Sequence, residues 1–250
     1  METVVLVKQV PSTDIDRIPF DENMEFKTND MVMNPYCEIA LEEALRIRET
    51  HGGSVTVVSV GNQKAEDVVR RGIALGADHG ILIMADRSDQ LRLAKILAGE
   101  LKQIRFDLIL AGDRSIDEDS SIVGPALADM LDIPSITQVT GIKILDSSIQ
   151  CIRSVEQGTI TVEASLPVLC TATRGLNEPR CVLLKGMIKS KKANIEVRKA
   201  HGIPGSKTKT LFLKHRPERE PGRIIEGDSA SEKAGELVRA LTIEAKVIKI

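Results

Sequence analysis

Two apolar periods alternate along the first two-thirds of the chain. Runs at Val4–Val10, Ser54–Val60, Ile81–Met84 and Asp107–Ala111 read as strands, and the continuous apolar run Ser54–Val60 is typical of a sheet covered on both faces. Between them, apolar residues return at helical spacing. Cys37, Ala40, Leu41, Ala44 and Leu45 share one face of a helix from about Cys37 to Thr50. Asn34-Pro35 opens it, Glu42 and Arg46 pair along it, and Gly52-Gly53 stop it. Ala65, Val68, Val69, Gly72 and Ile73 mark a second helix ending at Gly76. Asp89–Ile104 is a third, and Val123, Ala126, Leu127, Met130 and Leu131 mark a fourth. This alternation predicts an α/β fold: a doubly wound, mostly parallel, Rossmann-like sheet.

The pattern then changes. Ile142–Leu145, Ile149–Val155 and Thr159–Ala164 read as a short antiparallel excursion, and Pro167–Thr171 as one more buried strand. Periodicity is lost from Arg174. Lys185–Lys192 is basic, 200–230 is rich in Gly, Pro and charge, and weak helical spacing returns over Ala230–Ala245. The expected organisation is an α/β nucleotide-binding domain over residues 1–195 and an arm over 196–250. A tail without its own core needs a surface to pack on, so the arm is expected to wrap a partner.

Composition narrows the function. The net charge of -2 gives no bias toward nucleic acid or anionic lipid, and no Trp, one Tyr and four Phe make no base-stacking platform. Cys37, Cys151, Cys170 and Cys181 have no metal or redox spacing and read as small apolar residues in a reducing compartment. No apolar run is long enough to span a bilayer and no leader is read at the N-terminus, so a soluble, intracellular protein is expected. The histidines His51, His79, His201 and His215 are scattered, which argues against a triad or a zinc site. Neither a phosphate loop of the Walker type, a G-x-G-x-x-G fingerprint nor a G-x-S-x-G elbow is present. No acid–base pair is evident, so any redox chemistry must come from a cofactor.

The most informative stretch runs from Ala111 to Pro125. It leaves the carboxyl end of a strand and enters a helix, the edge at which open α/β sheets bind ligands. It also reads as a plain capped helix start, with Asp119 or Ser120 as N-cap. Its acids would repel a bare phosphate but suit ribose hydroxyls, an adenine amino group or a bridging cation. Lys8-Gln9-Val10-Pro11 is a second candidate at the same edge, against a proline-fixed turn. Asn34-Pro35-Tyr36-Cys37 is a third, against Asn34 serving only as a helix cap.

Taken together, Val7-Lys8-Gln9-Val10, Met33 to Ala40 with Glu42-Glu43-Ala44, Gly76-Ala77-Asp78, Ile116-Asp117-Glu118-Asp119, Leu176-Asn177-Glu178-Pro179-Arg180 and Lys189-Ser190-Lys191-Lys192 resemble the beta subunit of electron transfer flavoproteins. The resemblance covers nearly the whole chain and rests on the order and spacing of these blocks. It implies a heterodimer with an alpha subunit that holds most of an FAD, and an AMP bound by the beta subunit as a structural ligand. It further implies electron donors of the acyl-CoA dehydrogenase type and a membrane quinone oxidoreductase as acceptor. The setting would be the cytoplasm of a prokaryote or the mitochondrial matrix of a eukaryote, with no insertion of this chain into the membrane. Carried over by motif, the AMP pocket would comprise Leu6, Asn34, Pro35, Tyr36, Cys37, Val60 and the loop Gly112, Asp113, Arg114, Ser115, Ile116, Asp117, Glu118, Asp119, Ser120, Ser121, Ile122 and Val123. A loop around Ala164–Gly186 would dock the dehydrogenase, with Leu176 as an exposed apolar anchor within Leu176, Asn177, Glu178, Pro179 and Arg180.

The chain also departs from the AMP-binding pattern. It has Ser121-Ile122-Val123 where such relatives often carry Asn-Gln-Thr, and Thr13 where some place an aromatic residue near the flavin. Val123-Gly124-Pro125 is like the electron-bifurcating type, which binds a second FAD in this subunit and oxidises NADH, but Glu118 replaces that type's glycine. A free-standing adenine-nucleotide sensor is a remoter reading, which the C-terminal tail argues against.

Overall fold

The computed structural model describes residues 1–12, 20, 28, 30–86, 89–200, 205–208, 210–212, 214 and 221–248. Thr13, His201 and His215 lie outside the described residues. The chain forms two compact units, Met1–Phe212 and Leu213–Ile250.

The first unit begins with β1 (Glu2–Leu6), β2 (Gln9–Pro11), β3 (Met31–Met33) and α1 (Pro35–His51), followed by β4 (Ser54–Gly61), α2 (Glu66–Leu75), β5 (His79–Met84), α3 (Gln90–Leu101), β6 (Leu108–Gly112) and α4 (Val123–Leu131). It continues through β7 (Ser135–Ile144), β8 (Ser148–Val155), β9 (Gly158–Ser165), β10 (Val168–Ala172), α5 (Leu184–Lys192) and β11 (Glu196–Lys199). Nine strands form one sheet in the order β11-β5-β4-β1-β6-β10-β7-β8-β9; β2 and β3 form a separate antiparallel pair.

From β11 to β10 all pairings are parallel, and β7–β8–β9 are antiparallel. β7 joins the two halves. It runs parallel to β10 at its start and antiparallel to β8 at its end.

The doubly wound expectation holds. Alternate residues of β1 enter opposite cores: Val5 packs with α1 and α2 residues such as Leu41, Leu45 and Ile73, and Val4 and Leu6 pack with α3 and α4 residues such as Leu97 and Leu127. Each fully buried aliphatic side chain contributes roughly 1.5–3 kcal/mol, which is why an aliphatic core suffices. Pro35 sits in the first turn of α1, and Gly52 ends it with φ 72°.

Three expectations change. The run Val4–Val10 is not one strand: β1 ends at Leu6, and the Lys8 carbonyl then accepts the Asn34 N–H at 2.9 Å, which turns the chain into the small β2–β3 pair. β7 begins seven residues before Ile142. Gln138 at φ 58° and a register shift between Val139 and Gly141 break the alternation that would have revealed it. Regular structure also does not stop at Arg174. The basic run is the helix α5, and β11 pairs in parallel with β5.

In the second unit, Ser229 caps α6 (Ala230–Arg239), its side chain accepting from Glu232 N at 3.2 Å. No residue of α6 is buried, and Leu237 and Val238 are exposed.

Candidate nucleotide site at the sheet switch point

After β1 the chain adds β4 and β5 on one side, then crosses to place β6 on the other. β1 and β6 stay paired to Leu6 and Ala111, and the connections that leave their carboxyl ends run to opposite sides, which opens a crevice at this switch point. A cleft of about 760 Å³, its open mouth included, lies there.

One wall is apolar: Leu6 and Val7 from β1 and its extension, Val58 and Val60 from β4, Leu93 and Leu97 from α3, and Ala111 from β6. The other is the polar loop from Gly112 to Val123. Of the sequence candidates, Leu6, Lys8, Asn34, Cys37, Val60, Gly112, Asp113, Arg114, Ser115, Glu118, Ser120, Ser121, Ile122 and Val123 line the cleft. Pro35, Tyr36, Ile116, Asp117 and Asp119 do not; Ile116, Asp117 and Asp119 bond to Asn34, Lys8 and Arg114, which do. Leu93 and Leu97 carried no sequence signal as site residues. They are one helical turn apart on α3, and only the packing of α3 over β1 and β4 brings them in.

Asn34 does not cap α1 with its side chain. It is buried, and its amide clamps the loop: Nδ2 donates to the Arg114 carbonyl at 2.8 Å and Oδ1 accepts from Ile116 N at 3.3 Å. The cap expected at Asp119 or Ser120 is also absent. The N-cap of α4 is Ile122, with no side-chain bond, and Pro125 has no N–H to satisfy. The first-turn donors of α4 are thus open to a ligand. Asp119 and Ser121 hold left-handed φ values of 50° and 53°, which fold the loop sharply around Ser120.

The loop's carboxylates are not free. Lys8 Nζ lies 2.9 Å from Asp117 and 3.3 Å from Glu118, and donates to Ser115 Oγ at 3.2 Å. Arg114 lies 3.2 Å from both Asp113 and Asp119, and its bond to buried Asp113 holds the guanidinium above its ordinary range. Asp113 also accepts from Thr171 Oγ1 at 3.0 Å. Gln90 on α3 donates to Glu118 at 3.3 Å. Burial pushes the Cys37 thiol up, only partly offset by the Asn34 amide 3.3 Å away, so it is a neutral wall group.

The second predicted region is arranged differently from its sequence reading. Residues 164–186 are not one loop: they include the ends of β9 and α5 and all of β10, which is buried in the sheet. Leu176 is half-buried against the core, so the exposed anchor expected there is not exposed. Asn177 Nδ2 bonds the Ile39 carbonyl at 3.0 Å and Glu43 at 2.9 Å. Arg180 spans Glu42 at 2.7 Å and Glu49 at 2.6 Å. Glu178 and Pro179 are exposed between them. These polar residues fasten the segment to α1. The exposed apolar groups follow at Leu183 and Leu184, 73% and 70% exposed, with Met187 and Ile188 on α5. Gly186 lets α5 approach α2, where a Cβ would strike the Ala74 carbonyl, and Arg70 donates to the Ser190 carbonyl at 2.7 Å.

Comparison with known proteins agrees with the fold. An electron transfer flavoprotein domain model matches residues 24–202. The chain is 37% identical to "Electron transfer flavoprotein subunit beta" of Bacillus subtilis over 99% of this chain and 100% of that protein. It is 34% identical to the protein of the same name from Megasphaera elsdenii over 94% of each chain. The human protein of that name is 34% identical over 78% of this chain and 80% of its own length.

Proposed function

The chain belongs to the electron transfer flavoprotein family, matching its beta subunits, and from that premise we propose that it pairs with an alpha subunit as a single-electron shuttle and binds AMP in the switch-point cleft. The observation that carries the AMP reading is the two-sided cleft. The apolar wall suits an adenine ring, and the polar loop and uncapped start of α4 suit ribose and phosphate. The FAD, held mainly by the alpha subunit, would supply the group that accepts and passes on electrons. Donors of the acyl-CoA dehydrogenase type and a quinone oxidoreductase complete the proposed chain, in the cytoplasm or the mitochondrial matrix. Among the described residues no helix is long and apolar enough to cross a membrane.

The arm is proposed to wrap the alpha subunit. An isolated helix of about ten residues is marginal in water, and α6 buries nothing within its own unit, so its apolar face calls for a partner surface. This also weighs against a free-standing sensor. Gly124 has a packing reason of its own, since a Cβ there would lie 2.7 Å from Thr171 Cγ2.

Denaturing the purified heterodimer and counting released cofactors tests the reading. One FAD with one AMP is expected. Two FAD, no AMP and NADH-dependent flavin reduction would replace the shuttle by the bifurcating enzyme.

The docking anchor is proposed to be Leu183–Leu184 rather than Leu176. Replacing both Leu183 and Leu184 by Ala should raise KM for the donor flavoenzyme on the order of tenfold, with heterodimer and cofactors intact, since hot-spot truncations cost more than about 1 kcal/mol. Leu176→Ala should lower stability and leave KM near wild type. Steady-state assays with the donor separate the two, and the opposite ranking would return the anchor to Leu176.

A further inference from the structure

The acidic loop presents a charge problem to an anionic ligand. Asp113 and Glu118 line one side of the cleft, and Asp117 and Asp119 belong to the same loop without lining it. Arg114 engages Asp113 and Asp119. Asp117 and Glu118 are left to Lys8, which reaches them from the end of β1. The Asp117 side chain is only 11% exposed, so water screens it poorly. The loop's shape does not depend on Lys8 alone, because Asn34 already pins the backbone of Arg114 and Ile116 with a neutral amide. Lys8 adds a hydrogen bond to Ser115 Oγ and, facing Asp117 and Glu118, a positive charge.

We propose that Lys8 is a positioning residue that adapts the acidic loop to an anionic nucleotide: its ammonium holds and neutralises Asp117 and Glu118, and so lets the cleft retain a phosphate-bearing ligand. This rests on the nucleotide reading of the cleft. Lys8 itself lines the cleft, but its ammonium is engaged by Asp117, Glu118 and Ser115, so it acts through the two carboxylates and not by gripping the phosphate. Without it, Asp117 and Glu118 repel each other and the ligand. With their charges also removed, Lys8 becomes dispensable.

The test uses the full heterodimer, with AMP affinity measured by equilibrium dialysis. Lys8→Met should weaken AMP binding on the order of 10- to 100-fold, the size expected when one charge a few ångströms away is lost at intermediate dielectric. Lys8→Arg should retain most of the affinity. The triple variant Lys8→Met/Asp117→Asn/Glu118→Gln should recover to within about threefold of wild type. Unchanged affinity in Lys8→Met overturns the proposal. So does failure of the triple variant to recover, which would mean that Lys8 contacts the ligand directly. Amide exchange across residues 113–119 in nucleotide-stripped heterodimer separates this proposal from the cleft reading. Faster exchange in Lys8→Met, restored in the triple variant, supports the role of Lys8 even if wild type binds no AMP. Exchange in Lys8→Met equal to that of wild type overturns the role of Lys8, and a wild type that binds no AMP overturns the cleft reading.

Discussion

Gly112→Val is expected to cost the heterodimer its nucleotide and roughly 6–12 °C of thermal stability. A Cβ at Gly112 would lie 2.9 Å from Tyr36 Cβ, 3.0 Å from the Tyr36 carbonyl carbon and 3.1 Å from Cys37 N. Two of these are backbone atoms in the first turn of α1, so no rotamer change relieves the contact. Either β6 or the start of α1 must retreat. Overpacking of this kind costs about 3 kcal/mol at the upper end of its usual range, and in a protein of this size each kcal/mol corresponds to about 2–4 °C. Nucleotide is lost for a linked reason. Asn34 immediately precedes α1 and holds the loop by Nδ2 and Oδ1, so a displaced helix start loosens the polar wall. Scanning calorimetry and nucleotide release measure the two effects. A variant with wild-type values for both would show that the β6–α1 approach is not a constraint.

Arg180→Met should lower stability by about 2 kcal/mol near neutral pH, with a deficit that shrinks in acid. Glu42 is buried at 4% exposure. Burial pushes its carboxyl up, but bonds from Arg180 and Arg46 more than offset this and hold it below the ordinary range. Removing one partner of a fully buried pair costs about 3–5 kcal/mol; Arg46 remains and Arg180 is a third exposed, so less is expected here. A carboxyl depressed in the folded state stabilises above its unfolded titration range and loses that contribution as pH falls through its folded one. The wild type therefore gives up this advantage on acidification, and the gap to Arg180→Met closes through and below the usual carboxylate range. Denaturant titrations at neutral and acid pH read it directly. A pH-independent gap would assign the loss to packing of the arginine stem. The variant should also raise KM for the donor, because Arg180 anchors the segment that leads into Leu183 and Leu184.

Much of the parallel half of the sheet was readable from the chain. Strands covered on both faces leave unbroken apolar runs, and α1 carries its start, stripe and stop within one short stretch. The polar wall of the cleft was readable for a related reason, since a strand end entering a helix is a local feature. The apolar wall was not. Leu93 and Leu97 look like any core stripe until α3 lies over β1 and β4. α5 and β11 escaped because a lysine-rich helix containing Gly186 and an edge strand with Val197 as its lone aliphatic carry almost no periodic signal. Leu176 misled because polar neighbours usually mean solvent. Here Asn177 and Arg180 are polar in order to bond α1, which draws Leu176, just before them, toward the core.

The insertion of β10 between β6 and β7 has a consequence for the order of assembly. β6 and β7 are made first but are separated in the finished sheet by a strand synthesised later. Until Val168–Ala172 emerges, β6 keeps an unpaired apolar edge and β7 has no parallel neighbour. The β7–β8–β9 meander can form early as a local unit, while closure of the sheet waits for a contact distant in sequence. Such non-local closure slows folding and prolongs exposure of an aggregation-prone edge. A chain cut short before β10 is therefore expected to be sticky rather than merely incomplete.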